Sequence, residues 1–235
     1  MEPSLYLLIL LIEWVMLVTI AAPMFFAGRF RKTPSLGIYL WLVSVSSSIL
    51  ASAVAFGIAL WSVFQTYVAL QAETDLWSAL ISSFAPWVLL ALAGVLLAVA
   101  NQRLAPLFEV KPELGSLEDL GGRWIRDYRR ARVIELEIPG YFALTRGKTI
   151  YLSSNSFALP ERALEAVLRH EYGHIVLGHQ RIKRFAYLIY QLVPWVVASR
   201  ALRNEVDTLC EIAADKYALR RVYSKDLVEA RRLFI

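Results

Sequence analysis

Cysteine and histidine are scarce in this 235-residue sequence, and charged residues are sparse in its first hundred positions. The single cysteine, Cys210, cannot form a disulfide within the chain, so the fold does not depend on an oxidising compartment. The sequence is 57% hydrophobic and its mean hydropathy is +0.49, which is too apolar for an ordinary soluble domain. We therefore expect an N-terminal membrane region followed by a water-exposed region.

Long uncharged stretches predict that residues 1–102 form a transmembrane region with three spans. The predicted spans are 5–26, 36–64 and 76–100. The basic residues between the first two spans are Arg29, Arg31 and Lys32. Basic residues in short loops stay on the cytoplasmic side, whereas acidic residues carry little weight. We therefore expect a multi-pass protein of the plasma membrane, with its N-terminus and the Glu73/Asp75 loop outside and residues 103–235 in the cytoplasm.

The chain is basic, with a net charge of +5 and a pI near 9.4. Its basic residues lack the aromatic interleaving and the glycine-rich pattern of nucleic-acid-binding modules, so we expect no nucleic-acid partner. The partner expected instead is the lipid bilayer, because an arginine-rich segment after the spans would lie against an anionic inner leaflet. Its arginines are Arg123, Arg126, Arg129, Arg130 and Arg132.

Glu13 lies near the middle of the first predicted span, where an ionisable group is costly. It is either functional or a protonated carboxyl that is hydrogen-bonded to a neighbouring helix. We favour the second interpretation, with Ser44 or the serines at 46–48 as partners.

Three segments after the arginines have the β-branched and aromatic composition of strands. They are 133–138, 141–145 and 149–153. Short turns containing Gly140 and Gly147 separate them, so we predict a small antiparallel meander. A helix then begins near Pro160, and apolar residues recur at helical spacing behind it.

His170-Glu171-Tyr172-Gly173-His174 is an HExxH motif on this predicted helix. Residues four apart share one helix face, so both imidazoles can bind one zinc ion. Glu171 can accept a proton from a metal-activated water during attack on a peptide carbonyl. All three histidines of the chain lie between 170 and 179, which favours a metal site over two unrelated histidines on an amphipathic helix.

A catalytic zinc site normally has three protein ligands. His179 is a nearby candidate, but on a continuous helix it would point away from His174, so we expect solvent exposure, capping or an orienting hydrogen bond. Glu211 is the better candidate, because its helix is rich in small apolar residues. Asp215, one turn further on, can hold a ligand histidine by its other ring nitrogen. The weaker alternatives are Glu205 and Asp207.

These motifs resemble those of the HtpX-like and CAAX-prenyl-protease family of membrane zinc metallopeptidases. Residues 164–174 with His179 resemble its LxAVLxHExGHxxxxH helix, and residues 210–215 resemble its ExxAD helix. Phe142-Ala143-Leu144 with residues 149–153 resembles the strand pair before the HExxH helix. The resemblance covers about 133–219, and its combination of motifs is more specific than HExxH alone.

The resemblance implies one zinc ion per chain, a catalytic Glu171 and an orienting Asp215. The implied ligands are His170, His174 and Glu211. The implied fold class is an α-helical integral membrane protein with an α+β zincin-like metallopeptidase domain, in which a small antiparallel sheet accompanies the HExxH helix. The implied enzyme class is a gluzincin-type zinc metalloendopeptidase, EC 3.4.24.

The resemblance also implies that an exposed sheet edge pairs with an extended substrate backbone. The residues of this edge are Tyr141, Phe142, Ala143, Leu144 and Thr145. The chain departs from the family pattern at Gly140, where the family often has Asn, and no His-Pro motif follows Asp215. The group that stabilises the oxyanion is therefore open. Its candidates are Tyr217, Arg220 and Arg221.

The apolar segment 185–199 is short for a span and contains Pro194. A single crossing there would separate Glu211 from His170 by the bilayer. We therefore expect this segment to be membrane-associated, either interfacial, re-entrant or packed on the spans.

The predicted function is hydrolysis of peptide bonds in membrane-associated or unfolded polypeptides. Two alternatives remain open: a signal-transducing membrane metallopeptidase of the sensor or antirepressor type, and a catalytically silent scaffold. The sequence makes no prediction of oligomeric state.

Overall fold

The computed structural model describes residues 3–71, 76–104 and 122–234. The helices are α1 (Pro3–Phe26), α2 (Pro34–Gln71), α3 (Leu76–Leu104), α4 (Glu161–Val176), α5 (His179–Leu192), α6 (Val197–Ala218) and α7 (Ser224–Leu233). The strands are β1 (Gly122–Tyr128), β2 (Ala131–Leu136), β3 (Ala143–Arg146) and β4 (Thr149–Ser153). Short 3₁₀ turns lie at Arg29–Lys32 and Ser154–Ala158. The predicted outer loop with Glu73 and Asp75 lies outside the described residues.

The chain divides into two compact units. Among the described residues, the helical unit comprises 3–30, 39–71, 76–104 and 188–205, and the sheet unit comprises 31–38, 122–187 and 206–234. Boundaries between these units fall within α2, α5 and α6, each of which contributes residues to both.

Two helices of the described chain are long and apolar enough to cross a membrane, judged by length and composition. The two stretches are Leu5–Phe26 in α1 and Pro34–Gln65 in α2. The apolar stretch of α3, Phe84–Ala100, is shorter. These features suggest membrane association. Their many exposed large apolar side chains, such as Leu10 and Leu50, are in keeping with a lipid environment.

Glu13 does not have the partner that we expected. Glu13 is exposed on α1. The hydroxyl of Ser47 instead accepts a hydrogen bond from the indole of Trp14, with 3.1 Å between Trp14 Nε1 and Ser47 Oγ. Ser47 also donates to the carbonyl oxygen of Ser44. The hydroxyl of Ser47, one of the expected partners of Glu13, is therefore hydrogen-bonded to the neighbouring indole.

The sheet is mixed, so the prediction of an antiparallel sheet is wrong. Its strand order is β1-β2-β4-β3, in which β4 pairs antiparallel with β3 but parallel with β2. The chain passes from β2 through Pro139-Gly140 to the outer edge before it turns back at Gly147, so β4 inserts between β2 and β3. Both glycines adopt positive φ, +82° for Gly140 and +59° for Gly147.

Strand β1 was not predicted, because neither of its faces is consistently apolar. Arg123 and Arg126 are exposed, and so is Trp124, at 59%. Backbone pairing with β2 forms this strand, and it lies at the edge opposite β3. Much of the arginine-rich segment is therefore strand.

The core of the sheet unit lies between the sheet and α4. Val133, Ile150 and Leu152 from the sheet are fully buried, and Val167 and Leu168 of α4 belong to the same cluster. Burial of each such side chain contributes roughly 1.5–3 kcal/mol. This packing fixes the orientation of α4, and the histidines of the motif lie outside the core cluster.

The apolar segment 185–199 is not one helix. Helix α5 ends at Leu192, and a turn around Pro194 leads into α6 at Val197. The hydroxyl of Ser199 donates to the carbonyl oxygens of Val193 and Val196, each at 2.7 Å, which closes this turn.

Candidate metal centre

Helix α4 carries the HExxH motif. The helix begins after Pro160, whose carbonyl accepts a hydrogen bond from Leu164 N at 3.0 Å. It ends before Gly178, whose φ of +67° stops the helix and redirects the chain into α5. The motif therefore lies on a helix, as predicted, but that helix does not continue to His179.

Helices α4 and α6 approach closely beside the motif because position 173 is glycine. A Cβ atom at Gly173 would lie 3.3 Å from Ala214 Cα and 3.2 Å from Tyr217 Cδ1. Such contacts are tighter than ordinary van der Waals packing. The absent side chain thus lets α6 bring Glu211 and Asp215 to the histidines.

The three predicted ligands converge, and their ligand atoms all lie within 4.8 Å of one another. His170 Nε2 is 3.2 Å from His174 Nε2 and 3.2 Å from Glu211 Oε2, and His174 Nε2 is 3.6 Å from Glu211 Oε2. Tetrahedral zinc with ligands at about 2.0–2.1 Å separates them by about 3.3–3.4 Å. The three donors therefore fit one zinc ion.

Asp215 fixes the ring of His170. Its Oδ1 lies 2.9 Å from His170 Nδ1, so the ring donates from Nδ1 and presents Nε2 to the ligand cluster. Burial lowers the pKa of His170, but hydrogen bonds to Asp215 and Glu211 outweigh it and raise the pKa to about 9 in the chain alone. The cluster thus has a strong electrostatic preference for a positive charge at this point.

Glu211 is held ionised by its surroundings. Burial raises the pKa of its carboxyl, but hydrogen bonds with His170 and His174 and the charge of Lys183 hold that pKa well below its usual range. Lys183 Nζ donates to Oε1 at 2.9 Å, while Oε2 faces the histidines. The two carboxylate oxygens therefore have separate partners.

His179 is buried, so the solvent exposure that we considered for it does not occur. The residue is 2% exposed, and its Nδ1 lies 2.9 Å from Nδ1 of His174. Burial, reinforced by His174 and Lys183, lowers the pKa of His179 to about 4, so its ring is neutral. A neutral ring can accept the Nδ1 proton of His174, which leaves His174 Nε2 for the metal.

Glu171 lies beside the cluster and is 8% exposed. Thr145 on β3 donates from its hydroxyl to Glu171 Oε2 at 2.7 Å and to the backbone carbonyl of Glu171 at 3.0 Å. These contacts hold the carboxylate against the sheet edge. No group in the described part of the chain forms a hydrogen bond with Glu171 Oε1.

The three oxyanion candidates lie elsewhere than the cavity beside the ligands. Tyr217 packs near Gly173 and its hydroxyl accepts from Arg129 at 3.4 Å, while Arg220 lies over the ring of Tyr217. Arg221 lines a different cavity. Arg231 of α7 lines the cavity that contains His170, Glu171 and Glu211. No motif in the sequence pointed to this arginine.

Arg231 is positioned by Asp215. Its Nη2 lies 2.8 Å from Asp215 Oδ2, and its side chain is 51% exposed. Asp215 therefore bridges His170 on one oxygen and Arg231 on the other.

Only part of the predicted substrate-binding edge, 141–145, forms a strand. Tyr141 and Phe142 precede β3, and Ala143, Leu144 and Thr145 lie within it. Strand β3 is the last strand in the sheet order. The remaining ligand alternatives are not part of the cluster: Glu205 accepts a hydrogen bond from Gly28 N, and Asp207 lies 3.8 Å from Lys183 Nζ.

The site combines the imidazoles of His170 and His174 with the carboxylate of Glu211, and the buried carboxylate of Glu171 lies beside them. Metal-dependent hydrolases have this arrangement of side chains. Residues 131–224 match the family model of Peptidase family M48. This match supports a metallopeptidase function, and the matched segment contains all three candidate ligands with Glu171 and Asp215. No curated protein and no solved structure matches the chain significantly.

Proposed function

We propose that this chain is a membrane-bound, zinc-dependent endopeptidase that hydrolyses peptide bonds of membrane-associated or unfolded proteins. The observation that carries the proposal is the convergence of His170, His174 and Glu211, with the carboxylate of Glu171 beside them. The match of residues 131–224 to the model of a peptidase family also supports the proposal.

One zinc ion per chain would be held by the two Nε2 atoms and Glu211 Oε2. Bound there, zinc would supply Lewis acidity, which polarises a peptide carbonyl and makes a coordinated water more acidic. Glu171 would act as the general base. Because Thr145 already donates to Oε2, we assign Oε1 as the oxygen that would take the proton of the attacking water and return it to the leaving amine.

The guanidinium of Arg231 is our candidate for stabilising the oxyanion. It lines the same cavity as Glu171, and Asp215 limits its freedom. The free edge of β3 offers backbone groups for an extended peptide, which would add to the sheet as a further strand. This placement would bring the peptide past Thr145, whose hydroxyl contacts Glu171.

The membrane part of the proposal rests on the apolar helices. We infer three spans, with α3 as the third, and a cytoplasmic active site in the plasma membrane, because the basic residues Arg29, Arg31 and Lys32 follow α1. Residues 185–199 would be membrane-associated. The motifs further favour the HtpX-like or CAAX-protease type within family M48 and the metalloendopeptidase class EC 3.4.24.

The test is metal analysis and turnover of an unfolded protein substrate such as casein, with the full chain purified in detergent. We expect Glu171→Gln to keep zinc and lose activity by at least about a hundredfold, because only the base is removed. Glu211→Ala should lose most of both. The matched controls are Glu161→Gln on the exposed start of α4 and Glu229→Ala on α7.

Three outcomes would contradict the proposal in different ways. Zinc bound without turnover of any substrate would favour the silent scaffold. Cleavage of one dedicated repressor in response to a small molecule would favour the signal-transducing alternative. Full zinc retention by Glu211→Ala would show that the third ligand is a different residue.

A further inference from the structure

Helix α7 forms one wall of the cavity that opens beside the candidate ligands. Leu227, Ala230, Arg231 and Phe234 all line this cavity, together with His170, Glu171 and Glu211. The four positions follow the i, i+3, i+4, i+7 pattern, so one face of α7 and the residue after it point inward. All but the first residue of α7 lie beyond the segment that matches family M48, which ends at residue 224.

The cavity measures about 460 Å³, which lies within the range of about 300–1,000 Å³ typical of ligand pockets. Its remaining wall is largely apolar as well. Val167 of α4 lies about one turn before His170, Ala143 is the first residue of β3, and Phe142 directly precedes that strand. The cavity is therefore of a size that can hold a side chain, and its largely apolar surface favours an apolar occupant.

Two residues set the size of this space. Ala230 is buried at 1% exposure in the middle of the inward face of α7, where its methyl group leaves room that a larger side chain would fill. Phe234 closes the end of the same face, and its ring lies 5.8 Å from that of Tyr141. Two of the charged groups at the cavity are ion-paired, since Arg231 contacts Asp215 and Glu211 contacts Lys183. The third, Glu171, accepts a hydrogen bond from Thr145.

We propose that this cavity is a specificity pocket, in which α7 selects a bulky apolar side chain, such as leucine, methionine or phenylalanine, next to the scissile bond of the substrate. The inference rests on the proposed peptidase function and adds a substrate class to it. A peptide laid along β3 with its scissile carbonyl at the metal cluster would place such a side chain in this cavity, because Ala143 of β3 and the ligands His170 and Glu211 all line it. Desolvation of that side chain then contributes to binding.

The first test compares kcat/KM for peptides that differ only at one position beside the scissile bond, with alanine, leucine, phenylalanine, tryptophan or lysine there. We expect the full-length protein in detergent to prefer leucine or phenylalanine over alanine and lysine by at least about tenfold. Ala230→Leu should reverse or abolish that preference, because it fills the pocket. Phe234→Ala should extend the preference to tryptophan. Val228→Leu is the matched control, since Val228 lies on the exposed face of α7.

The second test does not require turnover. Two peptide hydroxamates, one with a benzyl and one with a methyl side chain, are titrated into the zinc-loaded proteins by calorimetry. We expect the benzyl compound to bind at least about tenfold more tightly, and Ala230→Leu to remove that difference. If Ala230→Leu fails to fold, Phe234→Ala still tests whether α7 sets the side-chain preference, because Phe234 lies at the end of the pocket.

The two tests separate the possible failures. If the unmodified protein cleaves no peptide but still discriminates the hydroxamates, the peptidase proposal fails and the pocket stands. If cleavage occurs without a preference for bulky apolar residues, or if neither variant changes the preference, the pocket assignment is overturned while the peptidase proposal stands.

Discussion

At the scale of single residues, each candidate ligand is held by a neighbour that does not itself join the cluster. Asp215 contacts His170, His179 contacts His174, and Lys183 contacts Glu211. Such partners orient the ligand atoms and set their protonation. The sequence predicts the role of Asp215 from its position one turn after Glu211, and an orienting hydrogen bond is one of the roles that it allows for His179. It gives no indication of the contact between Lys183 and Glu211.

We predict that Asp215→Ala lowers zinc affinity by roughly 10- to 100-fold, because His170 loses the hydrogen bond that fixes its ring and tautomer. The affinity is measured by competition with a chelator of known strength. Glu229→Ala is the control, since Glu229 is an exposed acidic residue of α7. Equal affinities for the two variants would mean that Asp215 does not position the ligand.

A second prediction concerns Thr145, whose hydroxyl contacts Glu171 Oε2. Thr145→Val keeps the shape of the side chain but removes a hydrogen bond to a charged group, worth about 1.5–3 kcal/mol. We expect turnover to fall by roughly tenfold or more while zinc content is unchanged. The Thr149→Val variant in β4 controls for the general effect of valine in this sheet. A loss of zinc in Thr145→Val would indicate a structural role instead.

At the scale of secondary-structure elements, the close approach of α4 to α6 is what assembles the cluster. Gly173 has no Cβ, and an added one would meet Ala214 and Tyr217 at 3.2–3.3 Å. Gly173→Ala gains up to about 1 kcal/mol of helix propensity but forces an overpacked contact that costs about 1–3 kcal/mol. We therefore expect a lower melting temperature and weaker zinc binding in this variant.

Gly57→Ala is the matched control for this prediction. Gly57 also lies within a helix, but an added Cβ there meets nothing within 4 Å. We expect its melting temperature to be unchanged or higher, because alanine is the better helix former. If Gly173→Ala behaves in the same way, the contact between α4 and α6 has enough slack to absorb a methyl group.

The elements differ in how far they could be predicted. Helix α4 follows from local signals, since Pro160 begins it, apolar residues repeat along it and the motif lies on it. The strand segments were also recognisable, but their order was not. A strand pattern specifies which face is apolar and says nothing about which neighbour accepts the hydrogen bonds, so the parallel pairing of β2 with β4 was missed.

Helix α7 was overlooked for a related reason. It is short and its mean hydropathy is low, and its inward residues Leu227, Ala230 and Phe234 become meaningful only when the helix is packed against α4. Arg231 belongs to the same helix. Its importance depends on the contact with Asp215, which no sequence spacing encodes.

At the scale of the whole molecule, the candidate metal site joins segments that are distant along the chain. His170 and Glu211 are separated by 41 residues, and their side chains meet only in the folded protein. A ligand that binds only the folded state stabilises it, by about 2.7 kcal/mol at a concentration of 100 Kd. We therefore predict that removal of zinc with a chelator lowers the melting temperature by several degrees, and that added zinc restores it.

Glu211→Ala provides the control for this measurement. Because that variant is expected to bind zinc poorly, its melting temperature should respond little to chelator or to added zinc. A variant that responds as strongly as the unmodified protein would show that the stabilising metal binds elsewhere.

The sequence by itself determined the chemistry that is available: an HExxH helix, a remote carboxylate with an aspartate one turn later, and apolar helices before them. These features are local, because they depend on residues a few positions apart. The tertiary structure alone decided the strand order, the burial of His179 and the place of α7 at the cavity. Each of these depends on which surfaces pack together, and packing is a property of the whole chain rather than of any one segment.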